Sequence, residues 1–383
     1  MSPGADGRIL WSGALGNWLL LALSVGVALV LGEVVARVVL PRPLPWLYPQ
    51  LRYRSDPTLI FALVPEQRAF SADKAVRINE RGLRGPVIPY QQTPGKLRLL
   101  FLGDSIVFGY GVHEEESVPM RVASLLEAKG VNAEAVNSGV PAYNTGQEVD
   151  FLNSAGIAYR PDWVIVGACW NDINEQSSVR VTPEGWLVSG NDQKRGLLAR
   201  LGESEMGYEI RNALKRSRII YAGMTGVRSL LGLLFSDDHE VFRMELLEGR
   251  DTPRVAQGWR EVAGALHRVK ELAGEQGFRV LVVAFPVPLA LERAFPMSGY
   301  PRGFQRIVER EGLQFLNLEP YFRKAQHGQD SLFIPYDGDH PNAAGHQLAA
   351  SEIVRVLLSS GALAPAPCAN SSRPAQASGG ASE

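Results

Sequence analysis

Cysteine is scarce in this chain of 383 residues, which contains only Cys169 and Cys368. Cys169 lies in an apolar run and Cys368 in a polar tail, so the sequence argues against a structural disulfide. The six histidines are scattered, and no Cys/His cluster has the spacing of a metal site. The sequence therefore offers no ligand set for a metal ion, and no cofactor is expected.

An excess of charge of either sign is also absent. The chain has 39 basic and 40 acidic residues, a formal net charge of −1, and no block of like charge. Proteins that bind nucleic acid usually carry a basic patch, so the composition argues against a nucleic-acid partner. With 45% hydrophobic residues, the chain is long enough for one large core, or for one core plus an appendage.

A long uncharged segment lies near the N-terminus. Residues 9–32 contain no charged side chain, and Arg8 and Glu33 bound them. A helix of this length spans the hydrocarbon core of a bilayer, which is about 30 Å thick. A cleaved signal peptide and a buried core helix are the alternatives. The thin basic region and the long apolar stretch favour a retained membrane anchor over residues 1–40.

Residues 41–95 are interpreted as a spacer and an N-terminal extension. The spacer begins with the proline-rich sequence PRPLPWLYP, which is typical of a stiff linker. Short extended pieces are predicted over residues 56–90. Residues 77–85 carry turn glycines and several basic residues, which favours solvated turns over a binding edge.

Strands and helices alternate from residue 96 onwards. Strands are predicted at residues 97–102, 131–136, 163–168, 279–284 and 314–318. Helices are predicted at about residues 117–130, 144–159, 254–275, 304–311 and 342–359. This alternation is typical of a parallel, doubly wound α/β sheet.

The predicted α/β domain covers residues 96–360, with one interruption. Residues 173–252 show no clear strand and are interpreted as a helical insertion, with helical patterns at residues 197–201 and 208–235. Residues 361–383 are mostly Ala, Pro, Ser and Gly, and are predicted to be a disordered tail.

Ser105 follows the first of these strands, in the sequence Gly103-Asp104-Ser105. Open α/β sheets place their chemistry at the carboxyl ends of the strands, so Ser105 is a candidate nucleophile. A helix N-cap is the simpler interpretation of a lone Gly-Asp-Ser. Near the other end of the chain, however, His340 follows a carboxylate, Asp337, by three residues.

These residue types match the needs of acyl transfer. A serine hydroxyl needs a neighbouring base to take its proton, and that base needs an orienting partner. The reaction also needs donors that face the developing oxyanion. The backbone N–H groups of Ser105 and Gly139 and the side-chain amide of Asn171 each lie just past a predicted strand. The sequence therefore provides each group that the reaction requires.

The order of these residues resembles the four blocks of the SGNH/GDSL hydrolase superfamily, over residues 97–359 apart from the insertion. The blocks are Gly103-Asp104-Ser105, Gly139, Asn171-Asp172 and Asp337-Gly338-Asp339-His340-Pro341. The resemblance implies a flavodoxin-like three-layer α/β/α fold with a parallel sheet. It also implies that Ser105 is the nucleophile, His340 the base and Asp337 its orienter, with Ser105, Gly139 and Asn171 forming the oxyanion hole.

Three positions depart from that pattern or extend it. The family usually has a glycine two residues before the asparagine of its third block, and Cys169 occupies that position here. A tighter or bulged strand end is expected, which affects the aim of Asn171. Trp170 is interpreted either as a platform for a sugar ring or as a side chain that closes the core under the site. Asp339 falls outside the family's spacing and is left out of the triad.

The side of the membrane is indicated in two opposing ways. More arginines follow the apolar segment than precede it, which favours a cytoplasmic body by the positive-inside rule. The arginines that follow are Arg37, Arg42, Arg52 and Arg54. Asn79 and residues 82–85, in contrast, resemble a segment of membrane-anchored bacterial members of the family. On that resemblance we expect an extracytoplasmic catalytic domain.

The expected function is ester hydrolysis through an acyl-Ser105 intermediate. By analogy with anchored relatives, the expected substrate is an O-acyl ester of a carbohydrate. An O-acyltransferase that modifies an envelope polysaccharide, and a non-catalytic scaffold protein with the same fold, are the alternatives. The expected partners are the ester substrate and the membrane, and the sequence does not determine an oligomeric state.

Overall fold

A computed structural model describes residues 7–173, 179–189, 204–234, 238–292, 299–326 and 331–361. It begins with helix α1, Gly7–Val39. Within the described ranges, residues 16–39 of α1 form the one helix that is long and apolar enough to cross a membrane. Its large apolar side chains are exposed, for example Leu20, Leu23 and Leu29. Both a membrane anchor and a signal sequence fit such a helix.

The N-terminal extension contains two antiparallel hairpins. The first pairs β1, Tyr53–Asp56, with β2, Ile60–Leu63. The second pairs β3, Arg68–Ser71, with β4, Lys74–Arg77. The interpretation of residues 77–85 as solvated turns is wrong, because Asn79 and Arg84 are buried. Their side chains instead hydrogen-bond to backbone groups inside the fold.

The remaining elements run through the α/β body and its insertion. From residue 97 to 189 they are β5 Leu97–Leu102, α2 Ser105–Phe108, α3 Val118–Ala128, β6 Ala133–Asn137, α4 Thr145–Ser154, β7 Trp163–Ala168, β8 Val179–Val181 and β9 Leu187–Ser189. From residue 205 to 276 they are α5 Glu205–Arg216, α6 Arg218–Leu234, α7 Asp238–Glu248 and α8 Pro253–Gln276. From residue 279 they are β10 Arg279–Ala284, α9 Pro288–Glu292, α10 Gly299–Glu311, β11 Gln314–Asn317, α11 Glu319–Ala325 and α12 Ala343–Ser359.

Five of these strands form a parallel sheet in the order β11-β10-β7-β5-β6. Every residue of β5 and of β7 is buried, as expected for strands that helices cover on both faces. The covering helices form two packed groups, one with α3, α11 and α12 and the other with α4, α7, α8 and α10. The predicted three-layer α/β/α fold with a parallel sheet is confirmed.

The insertion differs from its sequence prediction in one respect. No strand was expected between residues 173 and 252, yet β8 and β9 form an antiparallel hairpin there. Each strand has three residues, too few for an alternating pattern to stand out. The helix predicted at residues 197–201 and the disordered tail predicted beyond Gly361 lie outside the described residues.

Candidate active site

The turn after β5 presents Ser105 at the carboxyl edge of the sheet. Ser105 begins the one-turn helix α2, and Asp104 is the residue that caps it, with Oδ1 accepting the Ile106 N–H at 2.8 Å. The simpler interpretation of Ser105 as an N-cap is therefore wrong, and its hydroxyl is left for other partners. The turn is so tight that only glycine fits at position 103, where a Cβ atom would lie 2.2 Å from Val107 Cγ2.

Ser105, His340 and Asp337 meet in one hydrogen-bonded line. His340 Nε2 lies 2.7 Å from Ser105 Oγ, and His340 Nδ1 lies 2.8 Å from Asp337 Oδ1. The same carboxylate oxygen accepts the backbone N–H groups of Asp339 at 2.9 Å and of His340 at 2.8 Å. These two bonds fix Asp337, which then aligns the imidazole toward the serine hydroxyl. The structure thus brings Ser105 within hydrogen-bonding distance of His340, which lies 235 positions away in the sequence.

The electrostatics of this line favour proton transfer to His340. Burial by itself lowers the pKa of His340, but the hydrogen bond and charge of Asp337 outweigh it, and the pKa is raised above the ordinary 6.5. Burial by itself raises the pKa of Asp337. The hydrogen bond and charge of His340, together with the two backbone donors, outweigh burial, so the pKa lies below the ordinary 3.8. Asp337 therefore stays ionised and supports a positive charge on His340.

Asn171 lies at the end of the neighbouring strand, in a 3-10 turn over Trp170–Ile173. Its Nδ2 donates to Asp104 Oδ2 at 2.8 Å, and that acceptor sets the orientation of the amide. An amide nitrogen carries two hydrogens, so one remains for a ligand in the pocket that Asn171 lines together with Ser105.

Cys169 does not carry Asn171 away from the site, although a glycine is usual at this position. The backbone N–H of Cys169 donates to Asp172 Oδ2 at 2.6 Å, which closes the turn. Burial, together with the neighbouring carboxylates of Asp104, Asp339 and Asp172, raises the pKa of the Cys169 thiol. The thiol therefore stays protonated and does not act as a nucleophile.

Gly139 lies against α2, the helix that begins at Ser105. A Cβ atom there would lie 2.2 Å from the backbone nitrogen of Phe108, so only glycine fits. Its N–H donates to Asn137 Oδ1 at 3.0 Å. To donate to an oxyanion, the N–H of Gly139 would have to share its hydrogen between Asn137 and the substrate or break its bond to Asn137. The role of Gly139 in the oxyanion hole therefore stays a prediction.

Three buried carboxyl groups, Asp104, Asp172 and Glu148, lie together behind the site. Burial raises the pKa of each, and for Glu148 the charges of Asp172 and Asp104 add to the effect. Neither carboxyl oxygen of Glu148 makes a hydrogen bond within the described part of the chain. Burial and the neighbouring carboxyl groups therefore favour the neutral form of Glu148. The sequence analysis missed Glu148, which lies in α4 without any local motif.

A pocket of about 430 Å³ opens over Ser105 and His340. Trp170 forms its floor, since only 3% of the residue is exposed and its Nε1 donates to Asp339 Oδ1 at 3.0 Å. Asp339, which the family spacing leaves out of the triad, thus holds the floor in place. The other lining residues are Ile60, Phe61, Asp104, Ile106, Tyr110, Pro141, Ala142, Tyr143, Asn144, Gln147, Cys169, Asn171, Val179 and Asp337.

Two contributions to this pocket escaped the sequence analysis. Tyr110 packs its ring on His340, with centroids 4.4 Å apart. Ile60 and Phe61 come from the N-terminal extension, and Tyr143 Oη holds them by donating to the Phe61 carbonyl at 2.7 Å. Ile60 has φ of 67°, an unusual conformation for a β-branched residue. Strain of this kind collects at binding sites, where the surrounding fold enforces it.

Among the residues that the structure describes, no group of three or more His, Cys, Asp or Glu side chains is placed to hold a metal ion.

Comparison with known proteins matches these residues to one family. The profile of the GDSL-like Lipase/Acylhydrolase family matches residues 101–348, which include every residue of the line described above. No curated protein sequence matches the chain.

Several solved structures are similar to the chain at low identity. A lipase/acylhydrolase from Enterococcus faecalis is 15% identical, with 71% of this chain and 99% of that chain covered and a TM-score of 0.38. LAE5, an α/β hydrolase from the metagenome of Lake Arreo, is 16% identical, with 72% and 98% covered and a TM-score of 0.41. A catalytic mutant of Axe2, an acetylxylan esterase from Geobacillus stearothermophilus, is 16% identical, with 68% and 93% covered and a TM-score of 0.38.

Proposed function

Because the chain belongs to the GDSL-like lipase/acylhydrolase family, and is thereby a serine esterase, we propose that it cleaves its ester through an acyl-Ser105 intermediate. One observation carries the proposal. The Ser105 hydroxyl lies 2.7 Å from a histidine nitrogen whose partner nitrogen is held by a carboxylate, at the wall of an open pocket. This arrangement supplies an activated nucleophile, its base and the orienting group for that base.

The first half of the reaction forms the acyl enzyme. Ser105 Oγ attacks the ester carbonyl carbon while His340 Nε2 takes the hydroxyl proton. Asp337 stabilises the resulting imidazolium, and the Ser105 N–H and Asn171 Nδ2 donate to the oxyanion. The C–O bond to the alcohol then breaks, and His340 returns its proton to the departing oxygen.

The second half releases the acid. A water molecule gives a proton to His340 and attacks the acyl carbon. The bond to Ser105 Oγ breaks, and the serine recovers its proton from His340. The same groups serve both halves, so no further residue is needed to complete the cycle.

For the substrate, we propose an O-acyl ester of a carbohydrate. Asn144, Gln147 and Asp339 place amide and carboxylate groups around the pocket, beside the apolar Ile60 and Phe61. A polar wall suits the hydroxyl groups of a sugar, and an apolar wall suits the acyl chain. The test compares kcat/KM for deacetylation of acetylated oligosaccharides with kcat/KM for simple aryl acetates. A higher value for the oligosaccharides supports the carbohydrate substrate.

We also propose that α1 anchors the chain and that the catalytic domain lies on the extracytoplasmic side. In this division residues 1–40 form the anchor, residues 41–95 the extension and residues 96–360 the hydrolase domain. The resemblance of Asn79 and residues 82–85 to anchored bacterial family members supports the extracytoplasmic side. Reporter fusions at the C-terminus, one active only outside the cytoplasm and one only inside, test it.

The decisive experiment compares Ser105→Ala with a matched serine variant. Ser154 is exposed on α4, so Ser154→Ala serves as the control. Turnover of p-nitrophenyl acetate should fall by at least about 10³-fold in Ser105→Ala only, and a fluorophosphonate probe should label the parent and the control but not Ser105→Ala. Retained turnover or labelling in Ser105→Ala would contradict the proposal. Adding acetyl-accepting oligosaccharide shows whether the acyl group passes to water or to a sugar hydroxyl.

A further inference from the structure

Two helices of the insertion expose an unusual amount of apolar surface. α5 and the first half of α6 present large apolar side chains to solvent, several of them more than half exposed. These are Met206 at 66%, Ile210 at 56%, Ile220 at 47%, Met224 at 51% and Val227 at 57%. The next helix, α7, behaves as a core helix instead, because Phe242, Leu246 and Leu247 are buried. Among the residues that the structure describes, nothing covers these side chains of α5 and α6 in the way that the core covers α7.

This surface is joined to the end of α1. The carboxylate of Glu33, in the last part of α1, accepts from Ser217 Oγ at 2.9 Å, from the Arg218 N–H at 3.0 Å and from the Ile219 N–H at 3.2 Å. It therefore caps the N-terminus of α6 in the way that an N-cap side chain does within one helix. Arg37 adds a bond to the Arg216 carbonyl at 3.4 Å.

These bonds bear on whether α1 is retained. A cut by signal peptidase on the C-terminal side of Glu33 would remove its carboxylate from the mature chain. The N–H groups of Arg218 and Ile219 would then lose their acceptor at the start of α6. A helix that is built into the folded body in this way fits a permanent anchor better than a cleaved signal sequence.

Cationic and aromatic side chains lie around the same junction. Arg37, Arg42 and Arg216 are exposed there. Trp46 is tied to α5 by two hydrogen bonds with the Asn212 side chain, at 2.9 and 2.7 Å, and remains 37% exposed. Apolar side chains next to exposed cations and a tryptophan are typical of a helix that lies in a membrane interface.

We propose that α5 and the first half of α6 form a second membrane contact, which lies in the interface of the bilayer that α1 crosses. The occupant of the apolar surface is lipid, because the surface continues directly from the end of the apolar anchor. The apolar side chains enter the boundary of the acyl chains, and the arginines contact lipid phosphates.

The same contact reaches the active site. Tyr221 of α6 packs edge-to-face on Tyr336, with ring centroids 5.1 Å apart. Tyr336 immediately precedes Asp337, the residue that orients His340. The helix that lies on the membrane therefore also supports the loop that carries the acid of the triad, and holds the pocket close to the membrane surface.

The test uses the full chain in nanodiscs of phosphatidylcholine and phosphatidylglycerol in equal parts. In a Cys368→Ser background, the remaining Cys169 is buried, so a single surface thiol can be labelled. An environment-sensitive fluorophore is placed by Met224→Cys or Ile210→Cys, and by Ser124→Cys on α3 as the matched control. Ser124 is exposed on a helix that packs against β6 and α12. Lipids brominated on their acyl chains then report contact.

The proposal predicts strong quenching at positions 210 and 224 and none at position 124. Absence of quenching at both insertion positions overturns it. Cross-linking of Met224→Cys to a second copy, without lipid quenching, also overturns it and assigns the surface to a dimer. Circular dichroism confirms folding of each variant. Because the readout is independent of ester cleavage, failure here is distinguishable from failure of the proposed function.

Discussion

His340 is subject to two opposing effects, and the balance between them sets the pH at which it acts as a base. Burial disfavours the charged imidazolium, whereas the bond to Asp337 favours it and prevails. The base must be neutral to accept the proton of Ser105. Activity should therefore rise with pH through the raised pKa of His340, at a midpoint above the ordinary 6.5 of histidine.

The Asp337→Asn variant tests this balance. Without the carboxylate, burial dominates, the pKa of His340 falls, and the midpoint of kcat/KM moves to lower pH. Loss of the tautomer-setting acceptor should also lower kcat by about 10⁴-fold. The matched control is Asp339→Asn, because Asp339 lies near His340 but does not bond to its ring. A pH profile that is unchanged in Asp337→Asn, or shifted equally in both variants, would argue against the assigned role.

The sequence predicts the site residues that stand in short recognisable motifs, and it does not predict the contacts that join distant parts of the chain. Ser105, His340 and Asp337 stand in short recognisable blocks, and the structure brings their side chains within hydrogen-bonding distance of one another. Asp104 looked like part of a motif, yet it caps α2 and orients Asn171. That second bond joins residues that follow two different strands, β5 and β7, which no local pattern shows.

At the scale of elements, α2 is too short to hold itself. A four-residue helix has few internal hydrogen bonds, so its position depends on its neighbours. Val107 packs over Gly103 and Gly167, where any Cβ atom would collide with it. From the other end, Arg84 donates to the carbonyls of Phe108 at 2.8 Å, Gly109 at 2.6 Å and Val112 at 2.8 Å.

Arg84 is therefore a positioning residue for the nucleophile turn. Burial lowers its pKa to about 10, which still leaves it charged at neutral pH. The Arg84→Met variant leaves the carbonyls of Gly109 and Val112 without the guanidinium donor, and leaves Phe108 with only the longer bond from Asn137 Nδ2 at 3.3 Å. The expected cost is about 1–3 kcal/mol in stability. Displacement of α2 should lower kcat by up to about 10²-fold. Thermal unfolding and steady-state kinetics measure the two effects, and Arg84→Lys should recover part of kcat.

Arg81 supplies the control for this prediction. It lies in the same segment and also donates to a backbone carbonyl, that of Ile88 at 2.6 Å, but it stacks on Tyr90 and does not contact the turn after β5. Arg81→Met should lower stability and leave kcat unchanged. Equal losses of kcat in Arg81→Met and Arg84→Met would mean that the segment acts through general stability alone.

On the scale of the whole molecule, the pocket is assembled from distant parts of the chain. The extension contributes Ile60 and Phe61, the sheet edge contributes Ser105 and Asn171, and the loop before α12 contributes His340. The extension is fixed to the body by Tyr143, which bonds to the Phe61 carbonyl and packs on the Phe61 ring with centroids 5.2 Å apart.

The Tyr143→Phe variant tests whether the extension forms part of the binding wall. It removes one buried hydrogen bond, worth about 1 kcal/mol, and keeps the ring contact. Looser placement of Ile60 and Phe61 should raise KM by up to about fivefold and leave kcat unchanged, since the reacting groups are untouched. Initial-rate kinetics on an ester with a longer acyl chain provide the measurement. A lower kcat at constant KM would assign Tyr143 to the reacting centre instead.

The sequence by itself determined the five strands of the parallel sheet, the order of the site blocks and the apolar α1, because each depends on residues that are neighbours along the chain. Periodicity, strand-ending glycines and uninterrupted apolar length are short-range signals. Only the tertiary structure decided that Arg84 supports α2, that Glu33 caps α6, and that Tyr143 holds Phe61 at the pocket. These contacts join residues 24, 185 and 82 or more positions apart, and their energies depend on burial and close approach, which exist only once the chain has folded.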